Sequence, residues 1–226
     1  VNDAFEKLTG LKNVEGKRIT EIMPSIRQDN PEFLELYGRV ATTGQPEKRE
    51  LLLKPLDLWL YISVYSVEKE NFVAVFENIT ERRKAEKDYQ SIFENVQEGI
   101  FRSTPEGKII LANEAMAKMF GYDSPAEIMA DITDAALQLY AYPENRAKMK
   151  AIMEEQNVVR NYEIQFHRKD GGAFWASATM KAIRNGKDRI LYFEGILEDI
   201  TERKQNIARL RKTLGGAVQA IASLVE

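Results

Sequence analysis

Apolar residues alternate with others at Leu58, Leu60, Ile62 and Val64, and again at Phe174, Ala176, Ala178 and Met180. This period of two predicts, in each half of the chain, a strand with one face turned to a core. The second half reads most completely. Ile100 to Ser103 and Lys108 to Leu111 flank a turn, Thr104-Pro105-Glu106-Gly107, and predict two short strands. Asn113 is a cap for a helix that carries Met116, Met119 and Phe120 on one face and ends at Gly121. Ser124-Pro125-Ala126-Glu127 has the serine, first-turn proline and glutamate of a capping box, and predicts a second short helix through Ile128. Pro143 opens a third, amphipathic through Met149, Ile152 and Met153. Strands are predicted over 162–168, 173–183 and 189–199, separated by turns at Lys169-Asp170-Gly171-Gly172 and Asn185-Gly186. The order is two strands, several short helices, three strands.

The pattern is duplicated. Val1-Asn2-Asp3-Ala4-Phe5-Glu6-Lys7-Leu8-Thr9-Gly10 returns in altered form from Ala112 to Gly121, and Glu77-Asn78-Ile79-Thr80-Glu81-Arg82 returns as Glu198-Asp199-Ile200-Thr201-Glu202-Arg203. The later copy holds about ten extra residues between these motifs, a length that fits in one or two loops. Two domains follow rather than a solenoid of short repeats. Expected boundaries are 1–80 for the first domain, 81–96 for a connector helix, 97–201 for the second domain and 202–226 for a terminal helix.

Composition narrows the chemistry. Lysine and arginine (32) nearly balance aspartate and glutamate (35), so no global basic field favours nucleic acid or anionic lipid. No apolar run approaches the roughly 20 residues of a membrane helix, so direct membrane insertion is not expected. Cysteine is absent, which removes disulfides, thiolate metal sites and cysteine nucleophiles, and fits a reducing cytoplasm. Carboxylates at Asp170, Glu194, Glu198 and Asp199 are explained by a turn, exposed strand positions and the segment after the last strand. With no phosphate loop, metal cluster or nucleophile with its base, no catalytic activity is expected.

Asn113-Glu114-Ala115 with Gly121-Tyr122, Arg168-Lys169-Asp170-Gly171 followed by Phe174-Trp175, and Glu198-Asp199-Ile200-Thr201-Glu202-Arg203 together resemble the motifs of PAS sensor domains. The first copy repeats most of them in Asn2-Asp3-Ala4-Phe5, Gly10, Leu58-Trp59 and Glu77-Asn78-Ile79-Thr80. The resemblance implies an α+β fold: two five-stranded antiparallel sheets, each with short helices over one face enclosing a ligand cavity. The first copy would lack its first two strands, because the residues before Ala112 have no counterpart before Val1, and its last strand, Phe72 to Asn78, would have an unpaired edge. Asn78 stands where the family motif has aspartate. An amide accepts a hydrogen bond but forms no ion pair, so this junction is expected to couple more weakly than that of Asp199.

Flavin photosensors of the family use a cysteine for adduct formation and strand amides to read the ring. Cysteine is absent, which excludes a covalent flavin adduct, and Phe166, Ala176 and Leu197 occupy the matching amide positions, so photochemical flavin sensing is not expected. Covalent haem fails for want of cysteine. Non-covalent haem needs an axial ligand, and the single histidine, His167, shares a strand face with Glu163 and Gln165, away from the cavity side of Ile164 and Phe166.

Inward positions differ between the copies. The second has smaller residues at Ala176, Ala178 and Gly195 than the first has at Leu60, Ile62 and Ala74. Interiors are close-packed, so the missing volume is filled by helices moving in, by water, or by a small apolar or mixed ligand. A ligand would be lined by Ile110, Met116, Met119, Phe120, Ile128, Phe166, Ala176, Ala178, Met180 and Leu197, and the bland reading of each is core packing.

Ala85, Tyr89, Ile92 and Val96 form a seam on the connector helix. Ile207, Leu210, Leu214, Ala217, Ile221 and Leu224 follow the heptad steps of a two-stranded coiled coil, which predicts a homodimer; the alternative is a lone amphipathic helix folded back on its own domain. Gly215-Gly216 interrupts this pattern and marks a candidate bend. The terminal segment is similar to the helix that leads into HD-GYP phosphohydrolase domains and, more weakly, to the dimerisation helix of sensor histidine kinases. The resemblance implies the sensory part of a larger bacterial signalling protein, with Asn78, Thr80, Asp199 and Thr201 as junction residues and a C-terminal output domain beyond the chain. A ligand-free dimerisation and interaction scaffold is the alternative.

Overall fold

A computed structural model describes residues 3–68 and 70–222. The chain divides into two compact units, Val1–Tyr89 and Gln90–Glu226. The boundary falls inside one helix, Thr80–Asn95.

The first unit opens with helices α1 (Asp3–Thr9), α2 (Ile19–Ile22), α3 (Ile26–Asp29) and α4 (Pro31–Thr43). Pro31 starts α4 at a position where its missing N–H costs nothing, and Gly44 closes it in the left-handed conformation at φ 72°. Strands β1 (Glu47–Leu53), β2 (Leu58–Tyr65) and β3 (Val73–Asn78) then form an antiparallel sheet in that order. Leu60, Ile62 and Val64 of β2 are buried against Phe33, Leu36 and Val40 of α4, so the alternating strand face meets the apolar helix face. Helix α5 (Thr80–Asn95) follows β3 after Ile79.

The second unit contains β4 (Gly99–Ser103), β5 (Ile109–Ala112), α6 (Glu114–Phe120), α7 (Pro125–Asp131), α8 (Ala135–Gln138), α9 (Glu144–Gln156), β6 (Val158–His167), β7 (Ala173–Arg184), β8 (Ile190–Asp199) and α10 (Thr201–Ala222). Its strands pair in the order β5-β4-β8-β7-β6, antiparallel throughout. Predicted caps are present: Asn113 Oδ1 accepts the Met116 N–H and Ser124 Oγ accepts the Glu127 N–H. The reciprocal bond of the second cap shifts by one residue, because Glu127 Oε2 accepts from Asp123 N–H instead of Ser124. Helix α8, capped by Asp134, was not predicted; four residues are too few for a periodic signal.

The two sheets correspond strand for strand, β1, β2 and β3 matching β6, β7 and β8. In the second unit β4 covers the edge of β8, from Gly99 opposite Leu197 to Ser103 opposite Phe193. Among the described residues no strand takes that place beside β3. Val73 and Val75 are exposed there, and an open groove of about 870 Å³ runs beside them, lined by Phe5, Leu8, Tyr37 and Phe76. Strand β3 begins at Val73. Phe72, predicted as an inward strand residue, precedes it, is 41% exposed and stacks on Tyr37 with ring centroids 4.6 Å apart.

Candidate functional site

Each sheet hands its last strand to a helix through the same short device. In the second unit Asp199 Oδ1 accepts the Thr201 N–H at 2.9 Å, and Thr201 Oγ1 accepts the Trp175 N–H of β7 at 2.9 Å. Ile200 between them is buried and its N–H donates to the Trp175 carbonyl at 2.9 Å. In the first unit Asn78 Oδ1 accepts the Thr80 N–H at 2.9 Å, Thr80 Oγ1 accepts the Trp59 N–H at 2.9 Å, and Ile79 N–H donates to the Trp59 carbonyl at 2.9 Å. Both helices thus start from a side-chain cap on the last residue of the preceding strand, and are tied sideways to the central strand.

The junctions differ at one charge. Arg168, in the β6–β7 turn, pairs with Asp199 Oδ2 at 2.8 Å through one guanidinium nitrogen and donates to the Met119 carbonyl of α6 through the other. Its guanidinium carbon also lies 4.3 Å from the Phe174 ring centroid. Partial burial raises the Asp199 carboxyl, and the Thr201 hydrogen bonds and Arg168 outweigh that, leaving it below the usual aspartate value. Asn78 carries no charge and forms no such pair.

A second layer escaped the sequence reading. On the outer face of β6, Glu163 pairs with Arg203 and Lys204 of α10, and Lys204 Nζ sits 4.5 Å from the Trp175 ring centroid. Glu50 of β1 pairs with Arg82 and Arg83 of α5, and the Arg83 guanidinium lies 4.8 Å from the Trp59 ring. The duplicated Glu-Arg-(Arg/Lys) spacing was visible once the strands were aligned. Its partners on β1 and β6 were not, because register sets them.

Asn113 serves the other end of the second unit. Fully buried, it accepts from Ile100 N–H and Met116 N–H, each at 2.9 Å, and donates to the carbonyls of Phe93 at 2.9 Å and Glu98 at 3.0 Å. The sequence identified its capping bond alone. Its amide also fastens the last turn of α5 to β4 and α6.

Nine of the ten expected pocket residues are buried: Met116, Met119, Phe120, Ile128, Phe166, Ala176, Ala178, Met180 and Leu197. Ile110 is the exception at 44% exposed. A register shift opposite Arg102 and Ser103 puts Ile109 and Ala112 inward and leaves Ile110 facing out. Core residues of the second unit line a partly open cavity of about 20 Å³, and those of the first unit one of about 30 Å³, so the smaller side chains are not matched by a ligand-sized space there. Ala176 and Ala178 share their core with an aromatic cluster: Phe120 meets Phe166 and Phe174 edge-on at 5.4 and 5.1 Å, and Tyr140 meets Phe166 at 4.7 Å. Met180 occupies the space that Gly195 leaves. His167 is exposed on the face opposite Ile164 and Phe166.

On α10, Ile207, Leu210 and Leu214 are exposed at 43%, 63% and 64%, and on α5 Tyr89 and Ile92 are exposed at 65% and 68%. Val96 falls just past the end of α5. The backbone stays helical through Gly215 and Gly216, so the anticipated bend is not formed. The side chains of Ala217 and Ile221, and Leu224 altogether, lie outside the described residues. Among the described residues there is no cluster of metal-ligating side chains, and no helix long and apolar enough to cross a membrane.

An antiparallel sheet backed by short helices, present twice and each time discharging into a capped helix, defines a tandem of α+β sensory-type domains. The chain belongs to the PAS domain family, whose model matches residues 1–81 and 97–202. It is similar to the sensor histidine kinase TmoS of Ectopseudomonas mendocina, 25% identical over 125 residues, covering 54% of this chain and 12% of that protein. Sporulation kinase C of Bacillus subtilis is 24% identical over 153 residues, covering 66% of this chain and 34% of that protein. The chain therefore spans between about an eighth and a third of the length of these relatives. Among solved structures, a PAS domain from Colwellia psychrerythraea is similar with a TM-score of 0.44 and 23% identity, over 52% of this chain and 98% of that one.

Proposed function

We propose that this chain is the sensory input and dimerisation module of a multidomain bacterial signalling protein, which regulates an output domain and catalyses nothing itself. The observation that carries this reading is the path Met119–Arg168–Asp199–Thr201: one guanidinium joins the helix over the core to the strand residue that caps α10. A change in how α6 packs on the sheet alters the cap of α10, and the helix carries that bias onward as a population shift. The similarity to sensor kinases favours a kinase as output over the phosphohydrolase that the terminal helix resembles. The first unit, with Asn78 in place of aspartate, relays with weaker coupling into α5.

The small interior cavities favour a second reading, a ligand-free scaffold that dimerises and relays signals sensed elsewhere. Native mass spectrometry of the purified chain, followed by denaturing extraction, separates the two. A dimer that releases one small molecule per chain supports the sensory reading. A dimer with nothing bound, and no ligand response in the full-length protein, leaves the scaffold. A monomer removes the dimerisation role.

A further inference from the structure

A small, partly open cavity of the second unit has one polar corner. Arg146 of α9 lines it while only 6% exposed, as do Ser103, 1% exposed, and Tyr140, 7% exposed. Arg146 Nη2 donates to the Thr104 carbonyl at 3.1 Å, and among the described residues no carboxylate lies within ion-pairing distance of it. Asp134, next to the cavity-lining Ala135, is committed to capping α8 through the Ala136 N–H at 2.9 Å. Ser103 Oγ is buried with no hydrogen-bond partner. The Tyr140 hydroxyl donates to the Met149 sulfur at 3.8 Å, its one acceptor among the described residues. Burial pushes this phenol up, Arg146 only partly offsetting the effect, so it remains an O–H donor at neutral pH.

A guanidinium cannot shed its proton to escape burial, and an unpaired charge in an apolar interior is costly. Among the described residues no carboxylate pairs with it, while the unpartnered Ser103 hydroxyl and the Tyr140 phenol line the same space. The geometry points to a binding site for a small monovalent anion in the second domain, held by Arg146, Ser103 and Tyr140. The cavity, about 20 Å³, exceeds the ~10–15 Å³ that one water needs, and its partly open mouth leaves the margin that the somewhat larger chloride ion requires. Met116 and Met180 line the remaining wall, and their flexible side chains let it widen for an anion of formate size. Sulfate, citrate and gluconate are too large. This site deepens the sensory reading by naming a ligand class, and its effect on output rests on that reading. Binding is independent of it.

The test uses the whole chain purified without chloride and titrated with sodium chloride or sodium formate, with sodium gluconate holding ionic strength constant. Thermal unfolding and the ³⁵Cl linewidth are read together. The expected result is a saturating rise in the unfolding midpoint, about 5–10 °C at a hundredfold excess over Kd, with ³⁵Cl broadening that formate displaces. Arg146→Met abolishes both. Ser103→Ala keeps the charge, removes only an unpartnered hydroxyl from the anion-free protein, and is expected to fold normally while binding about tenfold more weakly. An absence of ³⁵Cl broadening, or the same response in parent and Ser103→Ala, overturns the site and leaves the cavity to a water molecule. Anion binding without any change in output of the full-length protein keeps the site and removes its role as the signal.

Discussion

Arg168 and Asp199 stand 2.8 Å apart across the exit of the second domain, and the same guanidinium holds the Met119 carbonyl. The pair is half-exposed, so its value lies in connecting two elements more than in stability. The Asp199 carboxyl is depressed in the folded state, despite partial burial, by Thr201 and Arg168. A depressed folded value means that the stabilisation is present above the ordinary aspartate range, near 4, and is lost as pH falls through the lower folded value. Unfolding free energy measured from pH 6 down to pH 2 should therefore fall more steeply in the parent than in Asp199→Asn. Because Glu127, Glu163 and Glu194 are also lowered, the difference between the two proteins is the diagnostic quantity. Parallel curves would remove the pair from the coupling path.

Asn113 has every hydrogen-bonding position of its amide engaged, and two of its partners are the last turn of α5 and the start of β4. Asn113→Leu removes four bonds while their backbone partners stay behind, and is expected to cost about 3–5 kcal/mol. Asn113→Asp keeps the acceptor but sets a carboxylate against the Phe93 and Glu98 carbonyls. It should destabilise nearly as much at neutral pH and recover on acidification, since a protonated acid again donates. Chemical denaturation of both variants at pH 7 and pH 4.5 checks the ordering.

The alternation at Phe174, Ala176, Ala178 and Met180 made the inner face of β7 legible, and the Asn113 and Ser124 caps fixed two helix starts. What could not be read was volume. Ala176, Ala178 and Gly195 look like vacancies when strands are compared one at a time, yet Phe120 from α6 and Tyr140 from the segment after α8 join the same core, and Met180 fills the space beside Gly195. Ile110 was misplaced because a one-residue irregularity on β5 inverts the alternation, and no local residue type announces it. Arg146 went unnoticed because a basic residue in the first turn of a helix reads as surface; only the tertiary fold buries it.

Gly195 illustrates the same point as a prediction. A Cβ added there would lie 2.5 Å from the Thr179 carbonyl oxygen and 2.7 Å from Met180 Cγ. The carbonyl belongs to the neighbouring strand and cannot move without disturbing the β7–β8 ladder. Gly195→Ala should therefore destabilise the second domain by about 1–3 kcal/mol, although alanine suits a strand better than glycine elsewhere. Combining it with Met180→Ala relieves the Cγ contact and leaves those to the Thr179 carbonyl and the Met180 Cα, so the double variant should recover only part of the loss beyond the cost of removing the methionine. Denaturation midpoints of the two single variants and the double variant measure that coupling.

Leu210 and Leu214 lie four residues apart on α10, each more than 60% exposed, with Ile207 completing the strip. A monomeric helix gains nothing by displaying such a strip, whereas two copies laid side by side bury it. Glu163, Arg203, Lys204 and Trp175 fix the root of the helix on its sheet, so the strip has a defined direction where it leaves the domain. Leu210→Glu with Leu214→Glu should convert a dimer to a monomer in sedimentation velocity while leaving the second domain's unfolding midpoint within about 2 °C, because neither residue contributes to the domain core. Loss of the domain's own stability would mean instead that α10 packs back on its sheet, and the helix would then be a latch within one subunit and not a link between two.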